Sequence, residues 1–298
     1  MRPIRCLAIY IVVVFAGGAL LAPWLYQATQ WGAGHWAALA GLAANPFHRF
    51  VLRAVLGLAV IGLWPLLKSC GMSNLRELGL VNAGRPAAKL AAGFGIGFAS
   101  LACAAGLAIC FGGREASLSH TAAETGRFLV GTTLASVIVA VLEELIFRAS
   151  LFGILRKTFA WPLALVVSSA VYSAVHFLRA APQPVTIDWL SGFTTLAAMF
   201  HVQPGGLPIV PECFTLFAAG AILATAYQRS GTLFMSIGLH AGWIFWLKSY
   251  HFLTHEATGS TRAIWGSDRL IDGWLPFLVL VCVLILMLPK RQKPSPSA

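Results

Sequence analysis

The chain has 298 residues, of which 58% are hydrophobic and only 10% are charged, and its formal net charge is +11. A soluble domain carries about 25% charged residues, so this composition excludes a soluble fold. The apolar runs recur along the whole chain, which also excludes a single anchor. The basic excess gathers at the ends of those runs and forms no stripe with interleaved aromatics, so it points to membrane topology and anionic lipid rather than nucleic acid.

A bilayer span needs about 20 mostly apolar residues. The first candidate, about 6–25, follows Met1-Arg2-Pro3-Ile4-Arg5 and is longer than the apolar region of a signal peptide, so it reads as a retained span. The second lies at about 50–67 and the third at about 88–111. In the third, Gly93 and Gly97 sit four residues apart, a spacing that predicts close helix packing. No strand precedes these glycines, which excludes a nucleotide-binding loop. The fourth span, about 129–155, contains charged residues, and the fifth is placed at about 161–179. A loop rich in Pro and Gly runs from Arg179 to Glu212, with a short interfacial helix expected over Trp189 to Phe200. Spans six and seven, about 213–228 and 232–249, are separated by a tight turn at Gln228-Arg229-Ser230-Gly231, and the eighth lies at about 274–289.

The expected fold is therefore an all-α polytopic membrane protein: about eight transmembrane helices in one bundle, forming a single domain over 1–292, with a disordered tail at 293–298. Basic residues alternate along the loops. They are Arg2 and Arg5, then Lys68, Arg76, Arg85 and Lys89, then Arg156 and Lys157, then Arg229, then Lys290, Arg291 and Lys293. This alternation places both termini in the cytoplasm. The expected setting is a bacterial plasma (inner) membrane. The six cysteines have no CxxC spacing and read as small buried hydrophobes rather than a disulfide framework or zinc knuckle.

Ionisable groups inside a bilayer are costly and ask for a function. Span four carries Glu143-Glu144 and Arg148. Residues four apart share a helix face, so Glu144 can pair with Arg148. Glu143 points about 100° away. A carboxylate in apolar surroundings can serve as a general base or a proton carrier. Depth adds a condition. Glu143 meets a group late in span five only if helix four continues to about Lys157, and Ala149 to Leu155 stay apolar enough for that. Span five carries Tyr172, Ser173 and His176 on one face, extended by Ser169, and span seven carries His240. Three spans that each bring an ionisable group into the membrane could build a site for water activation, metal binding or proton transfer.

The combination resembles the CAAX prenyl endopeptidase and bacteriocin-processing family, the CPBP or Abi intramembrane proteases. The pattern of that family is EExxxR, then FxxxH, then HxxxN or HxxxD, on separate spans. Glu143, Glu144 and Arg148 match the first motif. Tyr172 to His176 match the second with Tyr in place of Phe, and His240 opens the third. The resemblance covers about 128–249. It implies an intramembrane endopeptidase acting on a membrane-associated protein or peptide, in which Glu143 and His176 activate water and His240 assists. Glu144 and Arg148 would form a supporting pair, with Tyr172 beside them. The resemblance leaves the chemistry open between a glutamate-based mechanism and a Zn²⁺ held by Glu143, His176 and His240. The third motif departs from the pattern, because Ile244 stands where the family has Asn or Asp. That departure keeps in view a non-catalytic adaptor or immunity-type protein on the same fold. A proton-coupled carrier would also use membrane carboxylates and histidines, but such carriers often show duplicated halves, and no internal repeat is visible.

Overall fold

The computed structural model describes residues 2–72, 74–81, 84–117, 119–178, 180–200 and 209–288. The expected disordered tail, 293–298, lies outside them. The described elements, in order, begin with α1 (Arg2–Ala33), a four-residue α2 (Ala40–Ala43), α3 (Phe47–Ser69), α4 (Pro86–Cys110) and strand β1 (Arg114–Ala116). Next, α5 (Ala122–Glu144) runs through a π-helical segment (Leu145–Phe152) into α6 (Gly153–Arg156). Then follow α7 (Trp161–Val175), α8 (Ser191–Met199), α9 (Ile209–Ser230) and α10 (Leu233–Leu253). Strand β2 (Thr254–Glu256), a short α11 (Arg262–Trp265) and α12 (Trp274–Met287) complete the chain.

Each apolar segment read from the sequence falls on one of these helices. Among the described residues, five stretches are long and apolar enough to cross a bilayer: α1, α3, α4, Ala122–Arg156 and α9. Helices α7 and α12 are apolar but shorter. The fourth stretch does continue to Arg156, close to the expected end at Lys157.

Several boundaries differ from expectation, most of all the end of α1 at Ala33 rather than 25 and the start of α5 at Ala122 rather than 129. Helix α7 stops at Val175, not 179. The amides of His176, Phe177 and Leu178 bond to the carbonyls three residues earlier, at 3.2, 3.1 and 3.3 Å, which winds the chain into a tight last turn. Helix α9 starts at Ile209 rather than 213, with Pro211 in its first turn, where no amide donor is needed. Glu212 is thereby drawn into the helix and fully buried, paired with Arg269 Nη2 at 2.6 Å. The cysteines also differ. Cys70 is buried, but Cys103, Cys110, Cys213 and Cys282 are exposed on their helices, all as free thiols. An apolar span has the same composition toward lipid as toward its neighbours, so sequence does not separate those faces.

The chain forms two compact units. The first is Met1–Asn82 with Val141–Leu207. In it α1 lies along α3, and α8 packs on both. Ala22, Phe47, Phe50, Val51 and Met199 form one core there. Val14, Val55 and Ala59 form another, against which Tyr10 and Ile146 pack. The π-helical segment rests on α3 and α7.

The second unit is Ala83–Ala140 with Pro208–Ala298. Its main contact sets α10 against α4, and α9 packs on α12 and α10. The glycine spacing predicted in the third span is used here, and it is reciprocal. A Cβ on Gly93 or Gly97 would lie 2.2 Å from Met235 O or 2.1 Å from Leu239 O. One on Gly238 or Gly242 would lie 2.0 Å from Leu90 O or 2.6 Å from Phe94 O. The two backbones meet where neither helix carries a side chain. Strands β1 and β2 pair antiparallel, with Glu115 opposite His255. At the start of α5, Thr121 and Glu124 form a capping box. The Thr121 amide donates to Glu124 Oε2 at 2.9 Å, and the Glu124 amide donates to Thr121 Oγ1 at 3.3 Å.

Candidate active site

Five of the six site residues expected from sequence come together in the first unit. Glu143 and Glu144 close α5, Arg148 lies in the π-helical segment, Tyr172 is in the last turn of α7, and His176 is the residue after it. A π-helical turn inside an α-helix is uncommon and is often found at functional sites. Here it begins directly after the two glutamates.

Glu144 and Arg148 are both buried and face each other, with Arg148 Nε 3.5 Å from Glu144 Oε2. The Arg148 guanidinium also lies over the Tyr172 ring, 4.6 Å from its centroid. Phe147 meets the same ring edge-on at 5.1 Å. The Arg148 charge is thus held by a carboxylate and an aromatic face together.

Glu143 and His176 are half-buried, with His176 Nε2 3.7 Å from Glu143 Oε2. That exceeds hydrogen-bond length, yet one water oxygen can touch both groups at this separation. His176 Nδ1 lies 2.7 Å from the Tyr172 main-chain carbonyl. A carbonyl only accepts, so Nδ1 carries the hydrogen. In the neutral ring, Nε2 therefore presents its lone pair toward Glu143. The tight turn that ends α7 at Val175 is what brings this ring back over its own last carbonyl.

Glu143 and His176 both line a cavity of about 410 Å³ within the first unit. Its walls are apolar: Tyr10 and Val14 from α1, Leu52 and Val55 from α3, and Ile146 from the π-helical segment. Sequence reasoning missed these walls and also missed Ser150, which lines the cavity and donates its hydroxyl to the Ile146 carbonyl. Ser150 lies two helical turns after Glu143, and that spacing was the available signal. Nothing local in sequence marks α1 and α3 as walls.

His240 belongs to the second unit. It is buried in α10 between Gly238 and Gly242, on the helix fixed by the close approach to α4. One turn further, the Trp243 Nε1 donates to Ser100 Oγ on α4 at 2.9 Å. Ile244 is half-buried and offers no hydrogen-bonding group. Among the described residues, no group of three or more His, Cys, Asp or Glu side chains is placed to hold a metal ion. In the first unit Glu144 is taken up by Arg148, and Glu143 with His176 gives fewer than the three protein ligands that a catalytic zinc takes.

No curated protein and no solved structure matches the chain. Residues 125–246, the stretch that carries Glu143, Glu144, Arg148, Tyr172, His176 and His240, match the family described as Rce1-like, type II CAAX prenyl endopeptidase Rce1-like, the family that the three motifs resemble.

Proposed function

We propose that this multi-pass membrane protein is an intramembrane endopeptidase in which Glu143 and His176 activate water and His240 assists. The observation that carries the reading is the Glu143–His176 pair, 3.7 Å apart on the wall of a mostly apolar cavity, in a segment that matches an endopeptidase family. In the proposed reaction Glu143 takes a proton from a water held against the His176 lone pair. The water oxygen bonds to the scissile carbonyl carbon to give a tetrahedral oxyanion. Return of the proton to the amide nitrogen then breaks the C–N bond and leaves a carboxylic acid and an amine. General-base help of this kind contributes about a hundred- to ten-thousandfold in rate. Glu144 and Arg148 form a supporting ion pair beside Tyr172.

The family description names CAAX prenyl substrates. The apolar walls suit a lipid-modified or strongly apolar tail, and a leader or sorting peptide would present the same amide bond. In purified protein reconstituted into lipid, Glu143→Gln and His176→Ala should each lower peptide turnover at least about a hundredfold while folding normally. A glutamate-based mechanism also expects a chelator to leave the wild-type rate unchanged. Full activity in Glu143→Gln would remove the base from the scheme.

Ile244 favours a second reading, in which the chain has the family's fold but no turnover. The two readings separate at Ile244→Asn. In an active enzyme limited by oxyanion stabilisation, the added amide should lower the barrier by up to about 3 kcal/mol. The measurement is the initial cleavage rate at equal folded concentration. An active wild type left unchanged by the substitution would mean that another donor already acts, and inactivity of both forms would favour the non-catalytic reading.

The proposed topology has eight spans with both termini cytoplasmic, as the alternation of basic loops requires. Reporter fusions at Ala298 and within residues 186–210 should then report opposite sides of the membrane. Finding both on one side would overturn the layout.

A further inference from the structure

The connection between α1 and α3 falls between two of the basic loops, yet the first two turns of α3 carry Arg49 and Arg53. The chain holds no acidic residue before Glu77, which lies beyond the far end of α3. Both arginines are exposed, and they sit one helical turn apart, where like charges repel. Arg53 lies about 9 Å along the helix from its start at Phe47. An arginine at that depth is costly unless its guanidinium reaches the headgroups. Asn45 gathers the two. Its Nδ2 donates to Gly41 O and Leu42 O of α2, both at 2.9 Å, which fixes the amide. Its Oδ1 then accepts from Arg49 Nη1 at 3.2 Å and from Arg53 Nη2 at 3.3 Å. One neutral oxygen thus holds two cations together. Among the described residues, no carboxylate pairs with either arginine. Asp188, on the loop whose Gln183 accepts the Phe47 amide, is occupied by the Leu190 and Ser191 amides and the Ser191 hydroxyl.

Beyond the pair, the exposed face of α3 is apolar. Leu56, Val60 and Trp64 follow Arg53 at helical spacing and are 47%, 40% and 53% exposed. Gly57 lies one turn after Arg53, and a Cβ there would meet nothing within 4 Å. The face therefore has two cations at one end and an open apolar track leading away from them. We propose that Arg49 and Arg53 bind the phosphate of an anionic phospholipid, with one acyl chain lying along Leu56, Gly57 and Val60. Guanidinium forks match phosphate oxygens bidentately. A headgroup of net negative charge supplies the compensation that a neutral amide oxygen does not. Leu56 also lines the cavity of the candidate active site, so the bound lipid flanks that cavity.

The test titrates the full-length protein in detergent with phosphatidylglycerol or phosphatidylcholine and counts bound lipid by native mass spectrometry. Wild type should retain one phosphatidylglycerol at concentrations where phosphatidylcholine, which is neutral overall, is not retained. The double variant Arg49→Gln/Arg53→Gln should lower the apparent affinity for that first phosphatidylglycerol at least about tenfold. Arg49→Lys/Arg53→Lys should recover part of it, since the charge stays and the fork is lost. Arg2→Gln/Arg5→Gln removes equal charge elsewhere and should leave the affinity unchanged. Inorganic phosphate should not displace the lipid, because it makes no contact with the apolar track. Equal retention of the two lipids by wild type overturns the proposal, and that comparison needs no variant to fold. Unchanged affinity in Arg49→Gln/Arg53→Gln overturns it, as does an equal fall in Arg2→Gln/Arg5→Gln, which would assign the effect to net charge. Displacement by inorganic phosphate would overturn the lipid as occupant.

Discussion

Arg148→Ala should cost about 3–5 kcal/mol of stability, the range for removing one partner of a buried ion pair. The Arg148 side chain is 2% exposed, with its Nε 3.5 Å from the Glu144 carboxylate and its guanidinium over the Tyr172 ring. Removing it leaves a buried negative charge with lost compensation and takes away the cation packed on the Tyr172 ring. Folded yield and thermal midpoint in detergent should therefore fall together with any activity. Arg148→Lys should recover only part of the loss, because a compact ammonium does not lie flat over an aromatic ring as a planar guanidinium does. A stable Arg148→Ala protein that loses turnover alone would instead place Arg148 among the groups that act on substrate.

The second large effect is expected far from the ionisable groups. Gly97→Ala should destabilise the second unit by about 1–3 kcal/mol or more, since the new methyl carbon would sit 2.1 Å from Leu239 O. The obstacle is main chain, so no side chain can rotate away, and α4 and α10 must separate along their crossing. Gly238→Ala should behave alike, with its methyl carbon 2.0 Å from Leu90 O. Gly106, also on α4, is the control: a Cβ there meets nothing within 4 Å. Gly106→Ala should be neutral or stabilising by up to about 1 kcal/mol, because alanine loses less backbone freedom than glycine in a helix. Thermal unfolding of the three variants side by side measures the contrast. Equal midpoints would mean that the crossing is not tight. His240 lies between Gly238 and Gly242, so the same contact also fixes the candidate histidine on its helix.

These features differ in how far sequence revealed them. The Glu144–Arg148 pair was legible because four residues make one helical turn, and the inserted π-helical turn did not separate them. The Gly93–Gly97 spacing announced a close approach, but its partners Gly238 and Gly242 lie far along the chain, so reciprocity became visible only in three dimensions. Helix segments were legible from apolar runs. Their ends were not, because the tight turn after Val175 and the early start at Ile209 depend on hydrogen-bond register rather than on hydropathy. The π-helical segment has no signature in composition. The cavity was hidden for a related reason: its walls come from α1 and α3, whose Val14 and Val55 look like any other apolar residues of a span. Glu212 read as a loop acid because its partner Arg269 is remote in sequence.

The central claim is that the Glu143–His176 pair hydrolyses a peptide bond. It is tested most directly by incubating protein reconstituted in lipid vesicles with lipid-anchored peptides in ¹⁸O-labelled water, then weighing the products. Wild type should release a fragment whose new carboxyl group carries label from one water, at one bond near the anchored end, and Glu143→Gln in the same vesicles should release none. Cleavage that proceeds equally in Glu143→Gln, or no cleavage by wild type of any lipid-anchored or apolar peptide in the library, would contradict it.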